Sequence, residues 1–299
     1  MNRRSRMKRT RTGRRIELSA RDIELFKLLV RYRYLRSSYL YAFLGGASET
    51  RFKERLGDLF HEGYLDRPRE QWEFADARCR PVVHEIGAGG LRVLKDLGGA
   101  VESTTFLKSA PRQYRHALMI CEALASIELG CRQSGLRFVA WPEILEKAPE
   151  ATRSSAAPWR LPLPSGGHLA PDGVFGIEYR EGAAKSYRFF ALEADRGTMP
   201  VARARPKQTS YIAKLAAYRD AISAGAHTAN WGVPNLLVLT LTIAPFRLAF
   251  VLEKVAEARL GAPFLFKAVA EADLVHPAPA LPTEPWARAG LPPFSIAAI

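Results

Sequence analysis

The chain has 299 residues, 47% of them hydrophobic and 25% charged, with a formal net charge of +14. This is the composition of a folding, globular chain, which excludes a low-complexity or disordered protein, and the length favours two domains. The positive excess points to a polyanionic partner, while the most apolar segment, "VPNLLVLTLTIAPF" (233–246), is too short to span a bilayer and contains Pro245.

The excess is concentrated at the start. "MNRRSRMKRTRTGRR" holds eight Arg or Lys and no acid, so residues 1–15 read as a disordered basic arm in which Arg14 and Arg15 are candidate phosphate contacts. The alternative is a solvated tail with no specific role. No apolar h-region follows, so the segment does not read as a secretory signal. Cys79, Cys121 and Cys131 are too few and too scattered for a disulfide framework or a zinc site. The expected setting is a reducing, cytoplasmic one.

Residues 16–99 form the first expected domain. Ser19, with Asp22 three residues on, makes a capping box ahead of a helix whose Ile23, Phe26, Leu29 and Val30 share a face. A short helix carrying Leu40, Phe43 and Leu44 follows, capped by Ser37 or Ser38 and ended by Gly45-Gly46. Ser48 caps a third helix that turns Phe52, Leu56, Leu59 and Phe60 inward. Two strand-like runs, 64–67 and 82–86, then make a hairpin, and "GAGGLRVLKDLG" opens another helix. Three short helices followed by a hairpin follow the winged helix-turn-helix plan, in which the third helix enters the major groove. On that plan Arg51, Lys53 and Arg55 face DNA, and the wing adds Arg67, Arg69 and Arg78. A helical protein-interaction module with a solvated basic face is the alternative.

Residues 98–110 read as a linker, and 111–276 as the second domain. A long helix from 112 to 135 carries His116, which is read as a satisfied, partly buried histidine. "LRFVAWPEI" reads as a strand and 148–167 as a loop. "APDGVFGIEY" and "KSYRFFALEADRG" are strands joined by the turn "REGAA". A helix over "KQTSYIAKLAAYRDAISAG" and the β-branched strand "NLLVLTLTI" follow. On a helical wheel Ile212, Leu215, Ala216 and Arg219 form the core stripe, which leaves Lys214 off it. A helix over "PFRLAFVLEKVAEARLG" and a strand over "PFLFKAV" come next. The proline-rich tail 277–299 reads as irregular, with Trp286 anchoring it.

The order helix, three strands, helix, strand, with Pro171-Asp172 opening one strand and Glu193-Ala194-Asp195 ending the next, resembles the PD-(D/E)xK restriction-endonuclease-like fold. That resemblance implies an α/β domain with a mixed sheet. It also implies Asp172, Glu193 and Asp195 as ligands of Mg²⁺, or of Mn²⁺ as a substitute, activating water against a phosphodiester. The lysine of the motif is replaced by Asp195; Lys207 and Lys214 on the following helix are the candidates to supply it. Against this stand a plain "PDG" turn with Gly173 at positive φ, and pairing of Glu193 and Asp195 with Arg196 or Arg203.

"ELSARDIELFKLLVRYRYLRSSYLYAFL", "PDGVF", "FFALEADRGT" and "KLAAYRDA", in that succession over about residues 16–240, together resemble the replication-relaxation family. The resemblance implies work on double-stranded DNA in plasmid or mobile-element replication, relaxation or mobilisation. Other replication or mobilisation proteins are further expected partners, a homodimer is open, and no membrane partner is expected. It also implies that Glu-x-Asp is normal for the group. Three classes follow: a DNA-binding factor, a metal-dependent nuclease or nickase using Asp172 and Glu193, and a winged-helix regulator or interaction module.

Overall fold

A computed structural model describes residues 5–13, 16–73, 75–98, 113–197, 199–202 and 210–298. Arg14, Arg15, Arg203, Lys207 and the expected linker lie outside these, apart from Gly98. Chain contacts divide the molecule into two units: Met1–Ala125 with Val275–Pro277, and Ser126–Leu274 with Ala278–Ile299.

In the first unit α1 (Ala20–Tyr32) begins at the expected capping box. Asp22 N donates to Ser19 Oγ at 3.3 Å, and Ser19 N donates to Asp22 Oδ2 at 2.8 Å. A two-residue strand β1 (Leu35–Arg36) leads into α2 (Ser37–Leu44), whose N-cap is Arg36 without a side-chain bond, so neither Ser37 nor Ser38 caps it. The Ser37 backbone N–H instead donates to the Val82 carbonyl at 2.8 Å. Ser48 caps α3 (Glu49–His61), and Phe52, Leu56, Leu59 and Phe60 are buried as expected.

The hairpin is present but not simple. β2 (Leu65–Asp66) pairs antiparallel with β3 (Val83–Ile86), and a 3₁₀ turn at Arg69–Glu73 stands between them. Gln71 from that turn, itself buried, exchanges hydrogen bonds with the Val83 backbone. β1 pairs with the other side of β3, giving the sheet order β1-β3-β2. After Gly87, α4 (Ala88–Asp96) closes the segment. The next helix, α5 (Tyr114–Gln133), contains the boundary at Ala125. Its Tyr114, Ala117, Leu118 and Cys121 join Tyr34 and Val83 in a buried cluster.

Within the stretch expected as a basic arm, residues 5–13 lie along the first unit and bond to it. Arg6 donates to the carbonyls of Arg78 and Arg80, and Arg9 donates to those of Phe60 and Leu65 while pairing with Asp66. The Thr10 N–H reaches His61 Nδ1 at 3.0 Å, and Thr12 donates to Glu62. Carbonyls left over at the end of α3 and along β2 are acceptors that guanidinium groups can satisfy.

The second unit is built on a seven-stranded mixed sheet. β4 (Arg137–Val139) is shorter than expected, because the chain turns at Ala140 into α6 (Trp141–Lys147), with proline in its first turn. The expected loop holds α7 (Glu150–Arg153) and the strand β5 (Leu161–Pro162), which pairs with β6 (His168–Leu169). β7 (Gly173–Glu181) and β8 (Ala184–Asp195) form a long antiparallel hairpin turning at Gly182, φ 60°. α8 (Tyr211–Ser223) and α9 (Ala226–Trp231) precede β9 (Leu237–Thr242), which lies parallel to β8. α10 (Pro245–Glu257) leads to β10 (Phe264–Ala268), parallel to β9.

The tail is not irregular: β11 (Trp286–Arg288) and β12 (Leu291–Phe294) extend the sheet, giving the order β12-β11-β10-β9-β8-β7-β4. Its prolines fit because β12 is an edge strand, where a missing N–H costs no ladder bond. Trp286 is fully buried and donates to the Leu281 carbonyl at 2.9 Å. The tail also packs on α5, where a Cβ at Gly130 would come within 2.1 Å of the Pro279 carbonyl oxygen.

Two outcomes follow from this packing. Gly130→Ala should lower the stability of the second unit by about 1–3 kcal/mol in urea unfolding, although alanine is the better helix former by about 1 kcal/mol. In the first unit Glu85 lies across from Asp66 in the β2–β3 register, and burial, then Asp66, push its carboxyl up to about 7. A raised carboxyl costs stability once ionised, so stability falls as pH rises from about 4.5 to about 7. Glu85→Gln should therefore raise Tm at pH 8.5 and leave it nearly unchanged at pH 4, measured by scanning calorimetry.

Candidate functional site

Antiparallel pairing sets Gly173 opposite Leu192, so Asp172, one residue before β7, lies beside Glu193 near the end of β8. Asp172 N donates to the Leu192 carbonyl at 3.0 Å, and its Oδ2 accepts from Ala194 N at 2.9 Å. Gly173 is the first residue of an extended strand and is not among the positive-φ glycines. The "PDG" sequence therefore opens a strand here and does not make a turn.

Glu193 is 3% exposed at the end of an otherwise apolar strand. Its Oε2 accepts from Lys214 Nζ and its Oε1 from the Tyr218 hydroxyl, both on α8. Lys214 is thus on the inward face. The buried stripe of α8 runs through Tyr211, Leu215, Tyr218 and Ala221, one position away from the expected one. The two tyrosines each bury the ring and aim the hydroxyl at a polar group: Tyr218 at Glu193, and Tyr211 at Thr240 Oγ1. Thr240 is the β9 residue in register with Glu193.

Burial drives the Glu193 carboxyl up to about 7 against the pull of Lys214, and Asp172 adds to the rise. Burial alone would depress the Lys214 ammonium, but Glu193, Asp172 and Asp195 raise it above the ordinary lysine value. The Tyr218 and Tyr211 phenols are pushed well above theirs, first by burial and then by Glu193. Tyr218 therefore keeps its proton and stays a hydrogen-bond donor to Glu193.

Asp195 shares the face of Glu193 by strand alternation, but its partner is neither Arg196 nor Lys214. Arg247 on α10 donates Nε to Asp195 Oδ2 and Nη2 to the Met199 carbonyl, and Gly197 N donates to Oδ1 at 2.9 Å. Sequence reasoning missed Arg247, which lies 52 residues downstream with no local pattern to mark it. Tyr218 did carry a signal, standing one helical turn after Lys214.

The carboxylates expected as metal ligands are hydrogen-bonded within the protein. Both oxygens of Glu193 and both of Asp195 accept hydrogen bonds from protein donors, and two of those donors are cations. Among the described residues no group of three or more His, Cys, Asp or Glu is arranged to hold a metal ion.

In the first unit Arg51 and Lys53 are exposed on α3, where Lys53 pairs with Glu49 at 2.8 Å. Arg55 is committed elsewhere: it grips Asp22 with two bonds, Nη2–Oδ2 at 2.6 Å and Nε–Oδ1 at 3.1 Å, and donates to the Glu17 carbonyl. Burial works to raise the Asp22 carboxyl, but Arg55 and Ser19 outweigh it and hold it below the usual range. Arg55 therefore ties α3 to the start of α1, a correction to its reading as an outward residue. Arg67 stacks over the Phe60 ring and donates to the Arg6 carbonyl, while Arg69 and Arg78 are exposed.

These observations define an α/β protein with a basic unit of helices around a three-stranded sheet and a mixed-sheet unit whose strand ends carry an Asp–Glu–Lys cluster. The replication-relaxation family model matches residues 26–237, and the chain belongs to that family. Membership suggests a role in replication or mobilisation of plasmids or other mobile elements. No match was found among curated proteins or among solved structures. No helix among the described residues is long and apolar enough to cross a membrane.

The Glu193–Lys214 pair should behave as a coupled unit. Lys214→Met and Glu193→Gln should each destabilise the second unit. The double variant should lose less than the sum, with a coupling of about 1–3 kcal/mol in a urea double-mutant cycle.

Proposed function

We propose that the protein is a DNA-binding factor of plasmid or mobile-element replication and relaxation, and that its second unit is a nuclease-like fold without cleavage activity. The observation that carries the DNA reading is the divided surface of α3. Phe52, Leu56, Leu59 and Phe60 are buried while Arg51 and Lys53 stay exposed, on the third helix of a unit with the order of a winged helix-turn-helix. Such a helix offers cations to phosphates and base edges. Arg69 and Arg78 in the wing extend the same charge.

The order α5, β4, β7, β8, α8, β9, with β9 parallel to β8, supports the nuclease-like reading of the second unit. The pairing of Lys214 with Glu193 beside Asp172 supports a second reading, Mg²⁺- or Mn²⁺-dependent cleavage. We prefer the non-catalytic reading because Lys214, Tyr218 and Arg247 already satisfy the carboxylates that a cation would need.

Supercoiled plasmid with Mg²⁺ or Mn²⁺ distinguishes the two. The expected result is retarded, intact plasmid with wild type and Glu193→Ala alike. Arg51→Ala should weaken duplex binding and reduce the slope of log K against log salt by about 1. Metal-dependent nicking that Glu193→Ala abolishes would replace this reading with the nuclease, and an unchanged salt slope would remove α3 from the interface.

A further inference from the structure

One face of α3 borders a groove in the first unit. Thr50, Lys53, Glu54, Gly57 and His61, at helical spacing, form one wall of a cavity of about 700 Å³. Arg6 of the N-terminal segment, Arg67 after β2, and Arg80 before β3 close it from other sides. The lining therefore carries four Lys or Arg side chains against one carboxylate, Glu54. Leu56, Pro81 and Val82 add an apolar wall.

His84 on β3 also lines this cavity, and it is 1% exposed. Its Nδ1 has no hydrogen-bonding partner among the described residues. A buried polar atom left unpaired costs about 1–3 kcal/mol, and in a cavity this polar and roomy it is a group waiting for a ligand.

The geometry points to a binding site for a nucleotide-sized phosphorylated ligand: Lys53, Arg67, Arg80 and Arg6 facing the phosphate, and Leu56, Pro81 and Val82 against the base. The volume exceeds what a bare phosphate needs and is in the range of pockets that hold small organic ligands. Lys53 belongs both to this lining and to the exposed face of α3 that carries Arg51, so the site borders the surface proposed for duplex contact and rests in part on that reading.

The charges are arranged so that an anion gains by entering. Lys53 and Arg80 have carboxylate partners in Glu49 and Asp76. Arg6 donates to the carbonyl oxygens of Arg78 and Arg80, which leaves its charge uncancelled by these bonds. Burial, then Arg67 and Arg6, hold the His84 imidazole well below the usual histidine range. A phosphate between them relieves the same repulsion. The phosphoryl group can belong to a free nucleotide or to the 5′ end of a DNA strand, since both present the same chemistry.

The test is isothermal titration of the full-length chain with ADP, with the 5′-phosphorylated dinucleotide pdTdT, with its unphosphorylated form dTdT, and with adenosine. Saturable binding of ADP or pdTdT, with at least tenfold weaker binding of adenosine and dTdT, is the expected result. ADP alone identifies a free nucleotide, and pdTdT alone a strand end. Lys53→Glu, an exposed change that preserves the fold, should weaken binding at least tenfold. His84→Gln should do so as well, with circular dichroism reporting whether it folds. Absence of heat with both phosphorylated probes, equal binding of adenosine and ADP, or indifference to Lys53→Glu would overturn the assignment.

Discussion

A carboxylate at the buried end of a central strand must be answered from inside the protein, and in the second unit Lys214 and Tyr218 answer Glu193. Glu193 is buried where α8 covers the sheet, so water does not hydrate the side chain. Removing one partner of such a pair typically costs 3–5 kcal/mol, because the other charge stays buried. The requirement therefore fixes the rotation of α8: with Lys214 and Tyr218 turned to the sheet, Leu215 and Ala221 are turned inward too. Asp195 and Arg247 do the same for α10. Polar bonds at two strand ends phase the helices, and apolar packing fills in behind them.

The same bonds decide what the cluster can do. Asp172, Glu193 and Asp195 bring three carboxylates near two cations, Lys214 and Arg247. A cation-binding site needs oxygens whose lone pairs face a common point, but here the oxygens of Glu193 and Asp195 face different helices. Strand alternation does set Glu193 and Asp195 on one face. It does not make them converge, because each is drawn to its own partner. The strand ends thus keep their carboxylates while the charge is turned toward structural neighbours.

How much of this could be read in the sequence varied with the range of the interaction. Ser19–Asp22, Ser48 and the apolar stripe of α3 are local, and they stand where their spacing puts them. The Asp172–Glu193 adjacency followed from two strand patterns and an antiparallel turn. Lys214 was misphased because hydropathy ranks Ile212 above Tyr211 and Tyr218, whereas the sheet prefers a ring that ends in a donor. Arg247, the β11–β12 hairpin and the ordered Arg6 and Arg9 have no local signature. Each depends on an acceptor or an edge that exists only once distant segments have folded.

The basic segment makes the point in energetic terms. Counting eight cations in fifteen residues predicts self-repulsion and disorder, and a guanidinium that gives up its charge to a carboxylate, as Arg55 does to Asp22, gains order at the expense of its field. Arg6 takes another route. Its donors are met by the Arg78 and Arg80 carbonyls, which are neutral, so the side chain is positioned while its charge survives. Arg67 donates to the Arg6 carbonyl and stacks on the Phe60 ring. Backbone acceptors and aromatic faces hold cations in place without cancelling them. The first unit can therefore be ordered and strongly positive at once, a combination that recognition of phosphate requires and that carboxylate pairing would forfeit.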